Sequence, residues 1–187
     1  MTEVRAGMLL VASPELRDPN FVDTVVLLLD VEEDGVLGVV LNRPSPVPVV
    51  DVLGPWAGAV AAPDVVFQGG PVSPEAALAV ARLTDPRDAP VGFRPVDGSD
   101  RLGLLDLDTP PELVEGSLSG LRIFAGYAGW GAGQLAGEIG AGDWYVVEAE
   151  SADVFRGEVG GLWRDVLRRQ RGNLAWHSTR PADPDLN

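Results

Sequence analysis

The sequence predicts an α+β fold in a single domain. Three observations carry this. Short apolar runs rich in β-branched residues fill the first third of the chain, at 8–12, 24–29 and 35–41. Helical spacing and capping signals become frequent only later, so strands and helices do not alternate as in a strict βαβ chain. No composition break or low-complexity linker divides the 187 residues, so 1–187 reads as one domain. A chain of this length buries about 70% of its unfolded surface, enough for a core without a metal or disulfide staple.

The elements follow in order. Met8-Leu9-Leu10-Val11-Ala12 reads as a buried strand that stops at Ser13-Pro14. The runs at 24–29 and 35–41 are the next two strands, and Asp34-Gly35 between them marks a hairpin turn because the pair tolerates positive φ. The acids around that turn invite an EF-hand reading, but the calcium loop wants an acid where Leu41 sits. Pro44, Pro46 and Pro48 interrupt the chain, 49–53 suits one helical turn, and 65–68 is a strand entering Gly69-Gly70-Pro71. Ser73-Pro74-Glu75 looks like a helix start, yet the near-alternation of Leu78, Val80 and Leu83 looks like a strand. Prolines and a glycine make 84–100 a loop. A strand is predicted at 102–107, where Asp106 and Asp108 would share one side, and a short helix opens at Thr109-Pro110-Pro111-Glu112. The strand 121–125 enters a glycine-rich turn at 126–133, and a helix carrying Gln134 and Glu138 follows. A strand at 143–148 precedes a helix capped by Ser151, whose residues Phe155, Val159, Leu162, Trp163, Val166 and Leu167 share an apolar face. Gly157, Gly160 and Gly161 weaken its first half. The tail is expected to fray from about residue 178.

Composition excludes several kinds of chemistry. There is no cysteine, so disulfides, thiol nucleophiles and iron–sulfur or zinc–thiolate centres are out. All 14 basic residues are arginine; without lysine there is neither Schiff-base chemistry nor a Walker A loop. The single histidine, His177, lies in the tail region and reads as a surface residue. No metal and no cofactor are therefore expected. The net charge of −14 repels a polyanion at long range, although 151–187 carries 6 Arg and 5 acids, net +1, against 8 Arg and 23 acids, net −15, in 1–150. No apolar run approaches 18 residues and no targeting segment is visible, so no membrane partner and a cytoplasmic location are expected.

Few motifs survive scrutiny. Gly131-Ala132-Gly133-Gln134-Leu135-Ala136 satisfies G-x-G-x-x-A, with Glu148 and Glu150 near the expected distance. Trp130 would crowd a pyrophosphate, and about 40 residues cannot supply a second βαβ half. Asn42-Arg43-Pro44 ends a strand with groups able to orient a carboxylate or phosphate, and Gly69-Gly70 could form an anion nest. Gly116-Ser117-Leu118-Ser119-Gly120 fails the nucleophile-elbow pattern. Arg164, Arg168 and Arg171 are spaced to share a helix face that could meet nucleic acid. No nucleophile, base and orienter combine, so no catalytic residue is assigned.

Four stretches carry a family resemblance. They are Gly7-Met8-Leu9-Leu10-Val11-Ala12-Ser13-Pro14-x-Leu16-x-Asp18-x-x-Phe21 with Thr24-Val25-Val26; Gly38-x-x-x-Asn42-Arg43-Pro44; Phe67-x-Gly69-Gly70-Pro71-Val72; and Gly126-Tyr127-Ala128-Gly129-Trp130-x-x-Gly133-Gln134-Leu135-x-x-Glu138-Ile139, followed by Trp144. In this order, over roughly residues 5–170, they resemble the YqgE/AlgH family of uncharacterised bacterial proteins. The resemblance implies a branched, mixed β-sheet, partly barrel-like and flanked by helices, and makes 73–83 a strand. It implies no established activity, cofactor or catalytic residue, and a link to transcriptional regulation of alginate synthesis through the family name alone. Where the family often places Glu after Gln-Leu, this chain has Ala136.

The expected function is that of a non-catalytic regulatory or interaction protein. Its partner is an unidentified protein or a small anionic ligand. The candidate surface is a cleft formed by Asn42, Arg43, Gly69, Gly70, Tyr127, Trp130 and Gln134, with Glu138 as a further binding candidate, because three strand ends rich in Gly and Pro bring polar and aromatic groups of the kind pockets use. The catalytic alternative uses Arg43 to bind an anionic substrate and Glu138 as base. The nucleic-acid alternative, disfavoured by net charge, uses Arg164, Arg168 and Arg171.

Overall fold

Alternation along the first strand sets the layering: Leu9 and Val11 point to one side of a sheet, Leu10 and Ala12 to the other, and all four are buried. The computed structural model describes residues 2–179. Among them ten strands form one branched sheet: β1 (Leu9–Ala12), β2 (Val25–Glu32), β3 (Gly35–Val40), β4 (Pro44–Pro48), β5 (Val65–Gln68), β6 (Val72–Leu83), β7 (Phe93–Pro95), β8 (Leu102–Leu105), β9 (Leu118–Gly131) and β10 (Trp144–Val147). The helices are α1 (Val49–Val52), α2 (Gln134–Gly140), α3 (Ser151–Phe155), α4 (Leu162–Arg168) and α5 (Leu174–His177), with short 3₁₀ turns between strands. The α+β class holds, and the sheet curls into half a barrel.

The branch lies on β9. Its 14 residues pair with β6 along one edge, while the other edge is shared between β3 (Gly38↔Ala128 to Gly35↔Gly131) and β5 (Phe67↔Phe124, Gln68↔Ala125). One branch runs β10-β1-β2-β3-β9, and the other runs β4-β5-β9-β6-β8-β7. The β5–β9 pair is parallel; the others are antiparallel. On one side, Leu9, Val25, Leu27, Phe67 and Phe124 pack against Leu162, Trp163 and Val166 of α4. On the other side the cover is split. α2 packs by Leu135 on Leu10, Val26 and Trp130, whereas Val49 and Trp56 pack with Val114 over Val66, Leu121 and Ile123.

Arg122 of β9 is buried (1% exposed) with no carboxylate partner among the described residues. Its guanidinium donates to the carbonyls of Val154 (3.0 Å), Arg156 (3.1 Å) and Ala62 (2.6 Å) and lies 4.3 Å above the Phe67 ring. Burial pushes it down to about 10, still charged at neutral pH.

Several expectations are corrected. The hairpin turns at Glu33-Asp34, and Gly35 already belongs to β3. The glycine stretch 126–133 is not a strand-to-helix turn, because β3 supplies a ladder partner and β9 continues to Gly131. Strand β8 stops at Leu105, and Asp106 turns the chain by accepting the Asp108 N–H at 2.9 Å. The cap after β10 is Glu150, not Ser151: the Glu150 side chain caps the N3 backbone N–H, and Asp153 accepts the Glu150 N–H at 2.7 Å. The helix expected beyond it breaks into α3 and α4 across Gly157, Gly160 and Gly161. Strand β6 covers 72–83 despite the Ser73-Pro74-Glu75 start, since pairing with β9 outweighs local preference. Ser178, at the start of the tail expected to fray, is buried and accepts a hydrogen bond from Arg164; 180–187 lie outside the described residues.

Candidate functional site

Where the chain leaves β3, Asn42 and Arg43 bind the loop 18–23. The Asn42 amide accepts the Val25 N–H at 3.0 Å and donates to the Asp23 carbonyl at 2.9 Å. The Arg43 guanidinium donates to the carbonyls of Asn20 (2.6 Å), Pro19 (3.1 Å) and Val22 (3.2 Å). Partial burial pushes its pKa below the ordinary arginine value, opposed by the charges of Asp18 and Asp23. Three of its five N–H groups are used by these carbonyls.

Arg43 stands at one end of a cleft of about 640 Å³. The floor is sheet: Val66 and Gln68 on β5, Ile123 and Ala125 on β9, and Ala77 on β6. The walls are two bulges. In β4 the register jumps from Pro44↔Phe67 to Pro48↔Val65, leaving three residues opposite Val66. In β6 it jumps from Val72↔Tyr127 to Ala77↔Ala125, leaving four residues opposite Gly126. Both segments leave the ladder beside the floor. The cleft therefore occupies the gap between the parts of the sheet covered by α2 and by α1. Its Arg43 end also holds Asn20, Ser45, Gln68 and Glu75, and the far end is apolar, with Val47, Val52 and Leu53.

Glycine is needed where the β6 bulge crosses β9. Gly126 has φ 72°, and a Cβ there would come within 2.5 Å of the Gly70 carbonyl oxygen and 3.0 Å of the Val72 carbonyl oxygen. Gly69 is as tight, since its Cβ would lie 2.3 Å from the Gly126 oxygen. Among the described residues, two non-glycine residues also adopt the left-handed region: Asp23 (φ 55°), whose carbonyl Asn42 holds, and Ser73 (φ 44°) in the β6 bulge. Each costs about 1–3 kcal/mol, and strain of this kind gathers at binding and catalytic sites.

The candidates predicted from sequence fall into three places. Arg43 and Gly70 line the cleft, with Asn42 and Gly69 supporting its rim. Tyr127 contributes backbone to the contact with Gly70, while its ring packs with the core on the α4 side and borders a shallow depression with Asp30 and Val36. Trp130, Gln134 and Glu138 do not reach the cleft. Glu138 Oε2 accepts both the Trp130 and the Trp144 indole N–H at 2.9 Å; Oε1 accepts the Gln134 amide at 3.0 Å; and the Gln134 carbonyl oxygen accepts the Gly131 N–H at 3.0 Å. This carboxylate joins α2 to β9 and β10, and Gln134 occupies the helix N-terminus that a dinucleotide would need. The loop 18–23 links the two places: its backbone is held by Asn42 and Arg43, and Phe21 packs at 6.0 Å on Trp130 and 5.4 Å on Trp144.

The arginine stripe is not one helix face. Arg164 donates to the Ser178 carbonyl at 3.0 Å, Arg168 pairs with Asp165 at 3.5 Å, and Arg171 lies past the end of α4. Arg169, absent from the predicted stripe, pairs with the buried Asp153, whose hydrogen bond raises the guanidinium pKa. His177 stacks on Tyr145 with ring centres 5.8 Å apart. The described residues hold no group of three or more His, Asp or Glu placed to bind a metal, and no helix long and apolar enough to cross a membrane. Sequence reasoning missed the floor and walls, namely Val66, Gln68, Ala77, Ile123 and Glu75. Alternation on β5 and β9 was the available signal, but it does not say which face is left uncovered.

Comparison with known proteins agrees with this fold. The AlgH-like family profile matches residues 9–175. A UPF0301 protein of Streptomyces coelicolor is 56% identical over 192 residues, covering 100% of this chain and 98% of that one. A UPF0301 protein of Mycobacterium tuberculosis is 46% identical, covering 98% and 91%. The crystal structure of protein DIP2367 from Corynebacterium diphtheriae superposes with a TM-score of 0.89 at 34% identity, over 96% of this chain and 94% of that one. The solution structure of the AlgH protein from Pseudomonas aeruginosa, at 24% identity and a TM-score of 0.69 over 95% and 94%, shares the fold. On the strength of a profile spanning nearly the whole chain and full-length relatives well above 30% identity, this chain belongs to the AlgH-like family.

Proposed function

We propose that this chain is a non-catalytic binding protein, regulatory in role, that works through the cleft between β4 and β6. The observation that carries the reading is the cleft itself: a stretch of sheet walled by two bulges, with Ser73 in the left-handed region inside the β6 bulge. Its volume falls in the range of small-molecule sites, which run from about 300 to 1,000 Å³ and combine apolar lining with a few polar groups. Among the described residues, Arg43 is the one cation lining it. Neither His177 nor Glu138 lines it, so the acid–base pairing of Arg43 with Glu138 receives no support from the geometry.

The test is a fragment screen on the full chain by ¹H–¹⁵N correlation NMR, with each fragment followed for a day by one-dimensional ¹H spectra. The reading expects shifts at Gln68, Gly70, Ala77 and Ala125 and unchanged fragments. Conversion of a fragment over many cycles, or shifts gathered elsewhere on the surface, would overturn it.

A further inference from the structure

We infer that the cleft takes a small monocarboxylate with an unbranched apolar chain, its carboxylate at Arg43 and its chain running over Ala125 and Ile123 toward α1. The inference rests on the binding reading above and adds the class of ligand.

The polarity gradient along the cleft carries it. One end holds Arg43, Asn20, Gln68 and Glu75, and the other holds Val47, Val52, Leu53 and Val66. Val47 and Val52 are large apolar residues left exposed, at 40% and 56%. An apolar chain would cover them, and the floor at Ala77 and Ala125 is low enough for an unbranched chain to lie flat on the sheet. Arg43 is fixed by carbonyls of three residues, so its unused N–H groups are held in place before a ligand arrives. Guanidinium recognition of a carboxylate uses donors of this kind. Glu75 lines the Arg43 end as well, so that end has no positive charge to spare for a second carboxylate. One negative charge is met by Arg43; a second, at the far end of the chain, would find only apolar side chains.

The experiment is isothermal titration calorimetry of the full chain with sodium butanoate, hexanoate, octanoate and decanoate. Octanamide, the eight-carbon dicarboxylate and a free-carboxylate tetrapeptide ending in leucine serve as controls. Each added methylene should tighten binding about fourfold until the apolar end is filled. Octanamide and the dicarboxylate should bind at least about tenfold more weakly than octanoate, reflecting the loss of a charge-assisted bond or the burial of an unpaired charge. Arg43→Gln should lose the preference for octanoate over octanamide. Because that change also frees the loop 18–23, the companion variant is Ala77→Phe, which fills the cleft from an exposed strand position; it should abolish octanoate binding with an unchanged melting temperature. A flat response to chain length, equal binding of octanamide, or binding by the tetrapeptide but not by octanoate would overturn the inference. Shifts at Gln68 and Ala77 with fragments of other chemistry, but none with octanoate, would defeat this inference and leave the binding reading standing. No shifts there with any fragment would defeat both.

Discussion

Replacing Glu138 by alanine separates the binding account from a catalytic one. In the structure a single carboxylate oxygen accepts two indole N–H groups, from Trp130 and Trp144, which are 4% and 2% exposed. Removing it leaves both donors without their partner and frees Gln134 at the start of α2. Hydrogen bonds to charged groups contribute about 1.5–3 kcal/mol each, and an unsatisfied buried donor costs about 1–3 kcal/mol. Glu138 is half-buried, so water recovers part of the loss, and a net destabilisation of about 3 kcal/mol follows from two bonds at the lower figure. For a chain of this size about 1 kcal/mol moves the melting temperature by 2–4 °C, so Glu138→Ala should melt about 6–12 °C lower. Glu138→Gln keeps one acceptor oxygen and should lose about half as much. The assay is thermal and urea unfolding followed by circular dichroism, with near-ultraviolet spectra reporting on the two indoles. A variant that melts within 2 °C of the parent chain would refute the reasoning, because a carboxylate free to act as a base would have been removed without touching the packing.

Other outcomes follow from the same geometry. Gly126→Ala places a Cβ 2.5 Å from the Gly70 oxygen at φ 72° and should destabilise by more than the ~1–2 kcal/mol of a left-handed alanine, read by urea unfolding. Arg122→Lys, unable to reach carbonyls at residues 62, 154 and 156 together, should lower stability by about 2–4 kcal/mol. With Arg122→Met, which adds no titrating group, the loss should be constant from pH 5 to 9. The folded guanidinium value is lowered to about 10, so the unfolded chain holds this proton more firmly only above that pH, where rising pH favours the native state; a drift below pH 9 would contradict the assignment. Duplex DNA should not be shifted by this chain at 150 mM salt, since Arg164 and Arg168 are engaged and the net charge is −14; a salt-sensitive shift lost in Arg168→Ala would reverse that view.

Strand positions were legible because apolar runs such as 8–12 and 24–29 have no other stable reading once turn residues bound them. The loop-holding pair Asn42-Arg43 stood out as polar groups at a strand end, and the structure places Arg43 at the cleft. What escaped was long-range. The glycines at 126–131 looked like a turn because nothing local says that β3 will pair with them. Trp130 and Glu138 looked like pocket residues, since aromatic and acidic groups near glycine are what pockets use, but their bond to each other is a three-dimensional fact. The cleft floor escaped for the opposite reason. Val66 and Ile123 are core residues whose edges border the cleft, and only the two bulges leave Ala77 beside them exposed.

A crystal structure of the chain grown with saturating octanoate tests the account most directly. The carboxylate should lie within hydrogen-bonding distance of Arg43, with the chain along Ala125 and Ile123 and the ligand intact. A cleft left without the ligand, or octanoate held at another surface, would contradict it.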